Sequence, residues 1–210
     1  QKDEIISAIS HEFKNPIAII SGYTETILND EQMPQPMKIR FLKKIYSNAN
    51  KMSHIVDKLR LTLKLEEGKQ ELILIPCSMK KLIITCISDL KDKYKNREIL
   101  IQGDDITLKV DETLISMAIS NLIENALKYS EDEIIVNISD KSITIIDKGI
   151  GIEEKELEKI NQKFYRISNN GWNNSLGLGL FIVQSVLSLH NFTLKIDSVF
   201  KNGSQFSINY

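Results

Sequence analysis

Ile5, Ile9, Phe13, Ile17, Ile20, Tyr23 and Ile27 recur every three or four positions, the repeat of a helix that buries one stripe. At about 100° per residue these positions gather in one broad sector, and His11 falls nearly opposite it, facing outward. Residues 29–36 break the period with two prolines and read as a connection. The repeat resumes with Phe41, Leu42, Ile45, Ala49, Met52, Val56, Leu59 and Leu63. Residues 1–66 are therefore expected to form an antiparallel two-helix hairpin. Two such helices cannot cover both stripes against each other alone. A homodimer through residues 1–66, closing a four-helix bundle, is the economical arrangement.

From about residue 68 the pattern changes. Residues 71–75 read as a strand, and 79–94 as a helix with Leu82, Ile83, Cys86, Ile87 and Leu90 inward. Residues 99–110 hold short strands around the turn-forming Gly103-Asp104-Asp105. Asp111 is an N-cap candidate for a helix running through Asn121 and Asn125 to Tyr129. Strands are expected at 133–139 and 142–147, a short helix at 153–160, and a helix at 177–190. Strands at 193–199 and 204–209 close the sheet, whereas the polar, Asn-rich, aperiodic stretch 162–176 reads as a mobile loop. The fold class is α+β: the hairpin, then an α/β sandwich domain over residues 68–210.

A chain of 210 residues accommodates these two domains. Its 27 basic and 28 acidic side chains nearly cancel, which leaves no footprint for nucleic acid or a membrane surface. Cys77 and Cys86 have no metal or redox spacing and fit a reducing compartment. No apolar run approaches the roughly 20 residues that span a bilayer. Because the chain begins at Gln1 rather than Met, it is expected to be a piece of a longer protein.

Asn121 and Asn125 are four apart on one predicted helix face, with Lys128 three residues beyond. Amide oxygens suit Mg²⁺, which favours oxygen ligands and bridges nucleotide phosphates, and a lysine adds a point charge for those phosphates. Asp147 ends an alternating strand and precedes Gly149 and Gly151, which let the backbone approach a flat base while the carboxylate accepts an amino proton. Gly177-Leu178-Gly179 opens a helix, where free N–H groups form an anion site. There is no P-loop, dinucleotide fingerprint or serine/threonine-kinase signature. His11 offers a neutral imidazole nucleophile. Asn15 shares its face one turn on, and Pro16 removes a backbone donor and should bend the helix. His54 reads as a surface histidine, and His190 as a ring near a helix C-terminus, where positive charge is mildly favoured.

In order along the chain stand Ser10-His11-Glu12-Phe13-Lys14-Asn15-Pro16, the segment from Asn121 through Asn125 to Tyr129, Asp147-Lys148-Gly149-Ile150-Gly151, Phe164-Tyr165-Arg166 and Gly177-Leu178-Gly179-Leu180. This series resembles the catalytic core of bacterial sensor histidine kinases of two-component systems, over almost the whole chain. The resemblance implies an ATP-binding fold shared with type II topoisomerases, Hsp90 chaperones and mismatch-repair ATPases, and it implies ATP and Mg²⁺ as cofactors. It makes Asn125 the metal ligand and Asp147 the adenine-reading residue, puts Tyr129 in the pocket lining, and sets Arg166 near the phosphates. It makes Glu12 the acid/base partner of His11, and Asn15 the residue that positions water for dephosphorylating the partner. That partner is a response-regulator receiver domain. The resemblance also implies a cytoplasmic portion of a membrane-anchored protein whose membrane segments lie outside this chain.

Two positions stand out against the family pattern. Ser175, followed by Leu176, replaces a further glycine before Gly177, which bears on lid geometry. ATP-hydrolysing relatives carry a carboxylate four residues before the metal asparagine; here that position is Asn121, a poor base, which favours a kinase over an ATPase. A catalytically silent dimeric scaffold is the alternative from a different class. Intact Asn125, Asp147, Gly149 and Gly151 argue against it.

Overall fold

The computed structural model describes residues 2–165, 167 and 176–210. The chain divides into two compact units, residues 1–68 in the first and 69–169 with 177–210 in the second. In the first, α1 (Lys2–Asn29) and α2 (Gln35–Glu66) form the expected hairpin. Helix α1 runs unbroken past Pro16. The connection is shorter than the two prolines suggested: Pro34 is the N-cap of α2 and Pro36 lies in its first turn. Proline is tolerated there because a first-turn N–H has no intrahelical acceptor to lose. Tyr23 and Phe41 meet across the hairpin with ring centroids 4.8 Å apart. Of the apolar stripes, Ile17, Leu42, Val56 and Leu63 remain exposed within a single chain.

The second unit is an α/β sandwich. Five strands, β2 (Ile99–Gly103), β4 (Ile134–Ile138), β5 (Ser142–Asp147), β6 (Thr193–Val199) and β7 (Gly203–Asn209), form a sheet in the order β2-β4-β5-β7-β6. All its ladders are antiparallel except β2–β4. A separate ribbon pairs β1 (Ile75–Ser78) with β3 (Thr107–Val110). Helices α3 (Met79–Leu90), α4 (Glu112–Tyr129) and α6 (Gly179–Leu189) supply the other layer, and α5 (Glu154–Leu157) is a single turn. Fully buried Ile119, Leu122 and Ile123 of α4, Ile134, Ile143 and Ile145 of the sheet, and Ile182 and Leu187 of α6 make the core.

Several elements depart from the local pattern. The strand forecast at 71–75 begins at Ile75, because only from there does the chain find a ladder partner in β3. Helix α3 stops at Leu90, and the residues beyond it turn so that Lys93 pairs with Glu124 of α4. The strands forecast within 99–110 belong to different sheets. Helix α6 begins at Gly179 rather than Gly177, whose carbonyl instead accepts the N–H of Phe164 at 3.0 Å. The loop forecast at 162–176 lies largely outside the described residues, and with it Arg166, Trp172 and Ser175.

Candidate functional site

Strand β5 ends by delivering Asp147, whose side chain is only 5% exposed. Its Oδ1 accepts the Gly149 N–H at 2.8 Å, and a backbone group of Ser204 on β7 adds a second hydrogen bond. Burial outweighs both and holds this carboxyl above the usual carboxylate range. Position 149 tolerates no side chain, because a Cβ there would stand 2.1 Å from the Tyr129 carbonyl. That carbonyl in turn accepts the Ile150 N–H at 3.2 Å. The Asp147 turn is thereby fastened to the C-terminal end of α4. Gly151 is buried beside the Val199 carbonyl at the neighbouring β6–β7 turn.

One face of α4 carries the amides. Asn121 is buried, and its Nδ2 donates to the Met117 carbonyl at 2.8 Å. Its Oδ1 lies 3.4 Å from where a Cβ on Gly179 would be, so the amide rests against the first turn of α6. Asn125 follows one turn later and is half-buried, and Lys128 Nζ stands 5.0 Å from the Tyr129 ring centroid. Leu178 is buried as the N-cap residue of α6 and has no side chain to satisfy the helix-start N–H groups. The structure thus brings Asn121 to Gly179 at one point of α4, and Tyr129 to Gly149 and Asp147 at its end. Arg166 is outside the described residues.

The residues forecast on the hairpin belong to the first unit. His11 is exposed on α1, and Asn15 is exposed one turn further on. Glu12 is 3% exposed, and its Oε1 has no hydrogen-bond partner among the described residues. His190 corrects the sequence reading. It is buried, with Nε2 accepting the Asp111 N–H at 3.0 Å and Nδ1 facing the Val186 carbonyl at 2.7 Å. Held by two backbone partners, the ring is a buried structural link rather than a solvated group at a helix end. Sequence reasoning also passed over Gly203, where a Cβ would lie 2.0 Å from the Asp147 carbonyl. The Asn202-Gly203 dipeptide between two alternating runs was the available signal.

Residues 110–210 match the family described as histidine kinase-, DNA gyrase B-, and HSP90-like ATPase, and residues 1–68 match the His Kinase A (phospho-acceptor) domain. The chain belongs to the histidine kinase family. Among similar proteins, the phosphate regulon sensor protein PhoR of Pseudomonas aeruginosa is 30% identical over 220 residues, covering 100% of this chain and 50% of that protein. The sensor-like histidine kinase SenX3 of Mycolicibacterium smegmatis is 27% identical over 217 residues, covering 98% of this chain and 56% of that protein. The chain therefore spans about half the length of these curated relatives. The histidine kinase AdeS of Acinetobacter baumannii shares the fold, with a TM-score of 0.71 at 21% identity over 94% of this chain and 95% of that one.

Within this histidine kinase fold, Asp147→Asn should separate recognition from stability. Burial-raised Asp147 contributes stability that is fully present below its unfolded pKa and lost as pH rises through its folded value. An uncharged amide of the same shape should therefore raise Tm near neutral pH, by about 1–3 °C for a chain of this size. If Asp147 accepts a hydrogen bond from the adenine, the same change replaces a charged acceptor, worth about 1.5–3 kcal/mol, and ATP affinity should fall by roughly one to two decades. Calorimetry with and without nucleotide tests both; a variant that binds Mg-ATP as the parent does would place the pocket elsewhere.

Proposed function

We propose that this chain transfers the γ-phosphoryl group of ATP to His11 and then passes it to an aspartate on a response-regulator receiver domain. The supporting observation is an exposed histidine beside a buried carboxylate that retains an unpartnered oxygen, in a chain whose other unit has the histidine-kinase ATP fold. In this reading residues 1–66 are the phosphoaccepting, dimerising hairpin and 68–210 the ATP-binding domain. An imidazole nitrogen of His11 attacks the γ-phosphorus, the bond to the β-phosphate oxygen breaks to leave ADP, and Glu12 accepts the imidazole proton. Asp147 reads the adenine amino group, with Gly149, Gly151 and Tyr129 shaping its surroundings. Lys128, Arg166 and the stretch Gly177-Leu178-Gly179 that leads into α6 face the phosphates in this reading.

The donor set also fits a magnesium ion. Among the described residues no three His, Cys, Asp or Glu side chains converge, so a divalent ion here would rest on Asn125 and on the oxygens of the nucleotide. When bound, Mg²⁺ neutralises phosphate charge. Asn121, held by Met117 and packed against α6, offers no carboxylate to activate water, which keeps the phosphoryl group for a protein nucleophile.

The exposed stripe residues Ile17, Leu42, Val56 and Leu63 support dimerisation through residues 1–66, since a second hairpin would cover them. A similar structure, that of the histidine kinase ThkA in complex with the response regulator protein TrrA, supports the choice of partner. It has a TM-score of 0.65 at 21% identity over 98% of this chain and 60% of that one. No helix among the described residues is long and apolar enough to cross a membrane; the reading of a cytoplasmic core of a membrane-anchored protein rests on the likeness to sensor kinases alone.

Incubation with γ-labelled ATP tests the central proposal: label that is lost in acid and retained in base marks a phosphohistidine, and absence of label rejects the reading. The proposal further gives Asn15 the role of orienting water during dephosphorylation of the regulator. Asn15→Ala is expected to leave autophosphorylation within about twofold and to slow regulator dephosphorylation about tenfold or more, the lower range for a positioned catalytic group. Equal dephosphorylation by parent and variant, above the regulator's spontaneous decay, would sink that role.

A further inference from the structure

Asp111 sits where three parts of the second unit meet. Its side chain is the N-cap of α4, with Oδ1 accepting the Leu114 N–H at 3.1 Å. Its Oδ2 accepts the N–H of Ile73 at 3.1 Å, in the chain that leads from α2 into the second unit. Its own N–H donates to Nε2 of His190 at 3.0 Å, and that ring is held through Nδ1 by Val186 near the end of α6. Both Asp111 and His190 are buried. One carboxylate and one imidazole thus join the incoming connector to the two helices whose other parts carry Asn121, Asn125 and the glycine pair.

The connector gains little from side-chain burial at this point. Ile73 is 75% exposed, and Leu74 and Ile75 are exposed as well. Beside the half-buried Leu72, the backbone bond to Asp111 is the contact that holds Ile73. With it in place, Ile73 is held two residues ahead of the first ladder residue. Without it, the next backbone anchor is the β1–β3 ladder, which starts at Ile75. Two further residues would be freed, adding roughly 7 Å of reach at 3.3–3.6 Å each. Length alone dilutes a tethered encounter only slightly, by less than about twofold at a −3/2 power. The larger consequence is orientational, because a free segment also lets the domain turn.

We infer that Asp111, supported by His190, is a positioning residue for autophosphorylation: it clasps the connector at Ile73 and so limits the freedom with which the ATP-binding domain is presented to its acceptor. The inference rests on the proposed kinase activity. Its distinguishing prediction is a split in the kinetic constants. Loss of the clasp should lower kcat for His11 labelling by roughly three- to tenfold, through lost orientation, and leave KM for ATP within about twofold.

Three variants of the full chain test it. Asp111→Ser keeps a cap acceptor for Leu114 but is too short to reach Ile73. Ile73→Pro removes the donor to Oδ2 and leaves the Asp111 cap on Leu114 and both helices in place. His190→Gln keeps an acceptor for the Asp111 N–H and should restore near-parental kcat, whereas His190→Leu should not. Hydrogen exchange in segment 69–75 should accelerate at least tenfold in Asp111→Ser, and Ile73→Pro should show the same fall in kcat with a cooperative unfolding transition retained. Unaltered exchange in Asp111→Ser, or faster exchange with parental kcat in both clasp variants, would overturn the inference. So would a rise in KM as large as the fall in kcat, which would make the pair part of the nucleotide pocket. Parent protein that takes up no label at all rejects the kinase reading and, with it, this role. Label in the parent with equal kcat in the variants rejects the clasp alone.

Discussion

Replacing His11 by glutamine is expected to abolish acid-labile phosphate incorporation from γ-labelled ATP while nucleotide affinity stays within about twofold. The two halves of this prediction follow from the separation of the groups involved. His11 stands exposed on α1 in the first unit, whereas Asp147, Gly149, Asn121 and Asn125 belong to β5, its following turn and α4 in the second. Glutamine keeps a polar, helix-compatible side chain at an exposed position, so neither the hairpin nor its stripe should change. It has no nitrogen lone pair that can attack phosphorus near neutral pH. Labelling should therefore drop to background rather than by a fraction. A variant that labels as fast as the parent would mean the nucleophile has been misassigned. A variant that stops labelling and also stops binding ATP would mean the substitution acts on the fold.

How far the sequence discloses this depends on whether a feature is local. The Asp111 cap and the apolar period specify α4 from its first residue to Tyr129, and an isoleucine-rich run ending in Asp147 marks β5 over residues 142–147. Chemistry carried by those elements, at Asn121, Asn125 and Asp147, is legible for the same reason. Features that depend on a distant partner are not. Residues 71–75 contain an apolar run as strand-like as any other, yet the strand starts only at Ile75, where β3 lies alongside. The parallel β2–β4 ladder and the division of β2 and β3 between two sheets leave no mark in local pattern. His190 was misread because its partner, the Asp111 N–H, lies 79 residues away in the chain. The spacing that places Asn15 beside His11 likewise says nothing about Glu12, whose burial is not marked in the local pattern.

That burial carries the second large prediction. Glu12 adjoins His11 in sequence, but neighbours on a helix point about 100° apart, and here one is exposed while the other is 3% exposed. A buried carboxyl oxygen without a hydrogen-bond partner is costly in a fold that gains nothing else from it, since an unpaired polar atom forfeits its bonds to water. A group retained at such a cost is suited to accept a proton at a defined moment. Glu12→Gln preserves size and one acceptor oxygen but cannot take that proton, so autophosphorylation should slow by about 10²–10⁴-fold, the usual scale for a general base. KM for ATP should be unchanged, because no part of the nucleotide site is altered. Tm should hold steady or rise, because the amide keeps the size of Glu12 and can donate as well as accept a hydrogen bond. The rise or constancy of Tm matters as much as the rate, since a structural glutamate would lose stability and activity together. Single-turnover labelling at saturating ATP, paired with calorimetry of the same samples, measures both. A labelling rate within threefold of the parent would remove Glu12 from the chemistry and leave its burial to be explained by packing.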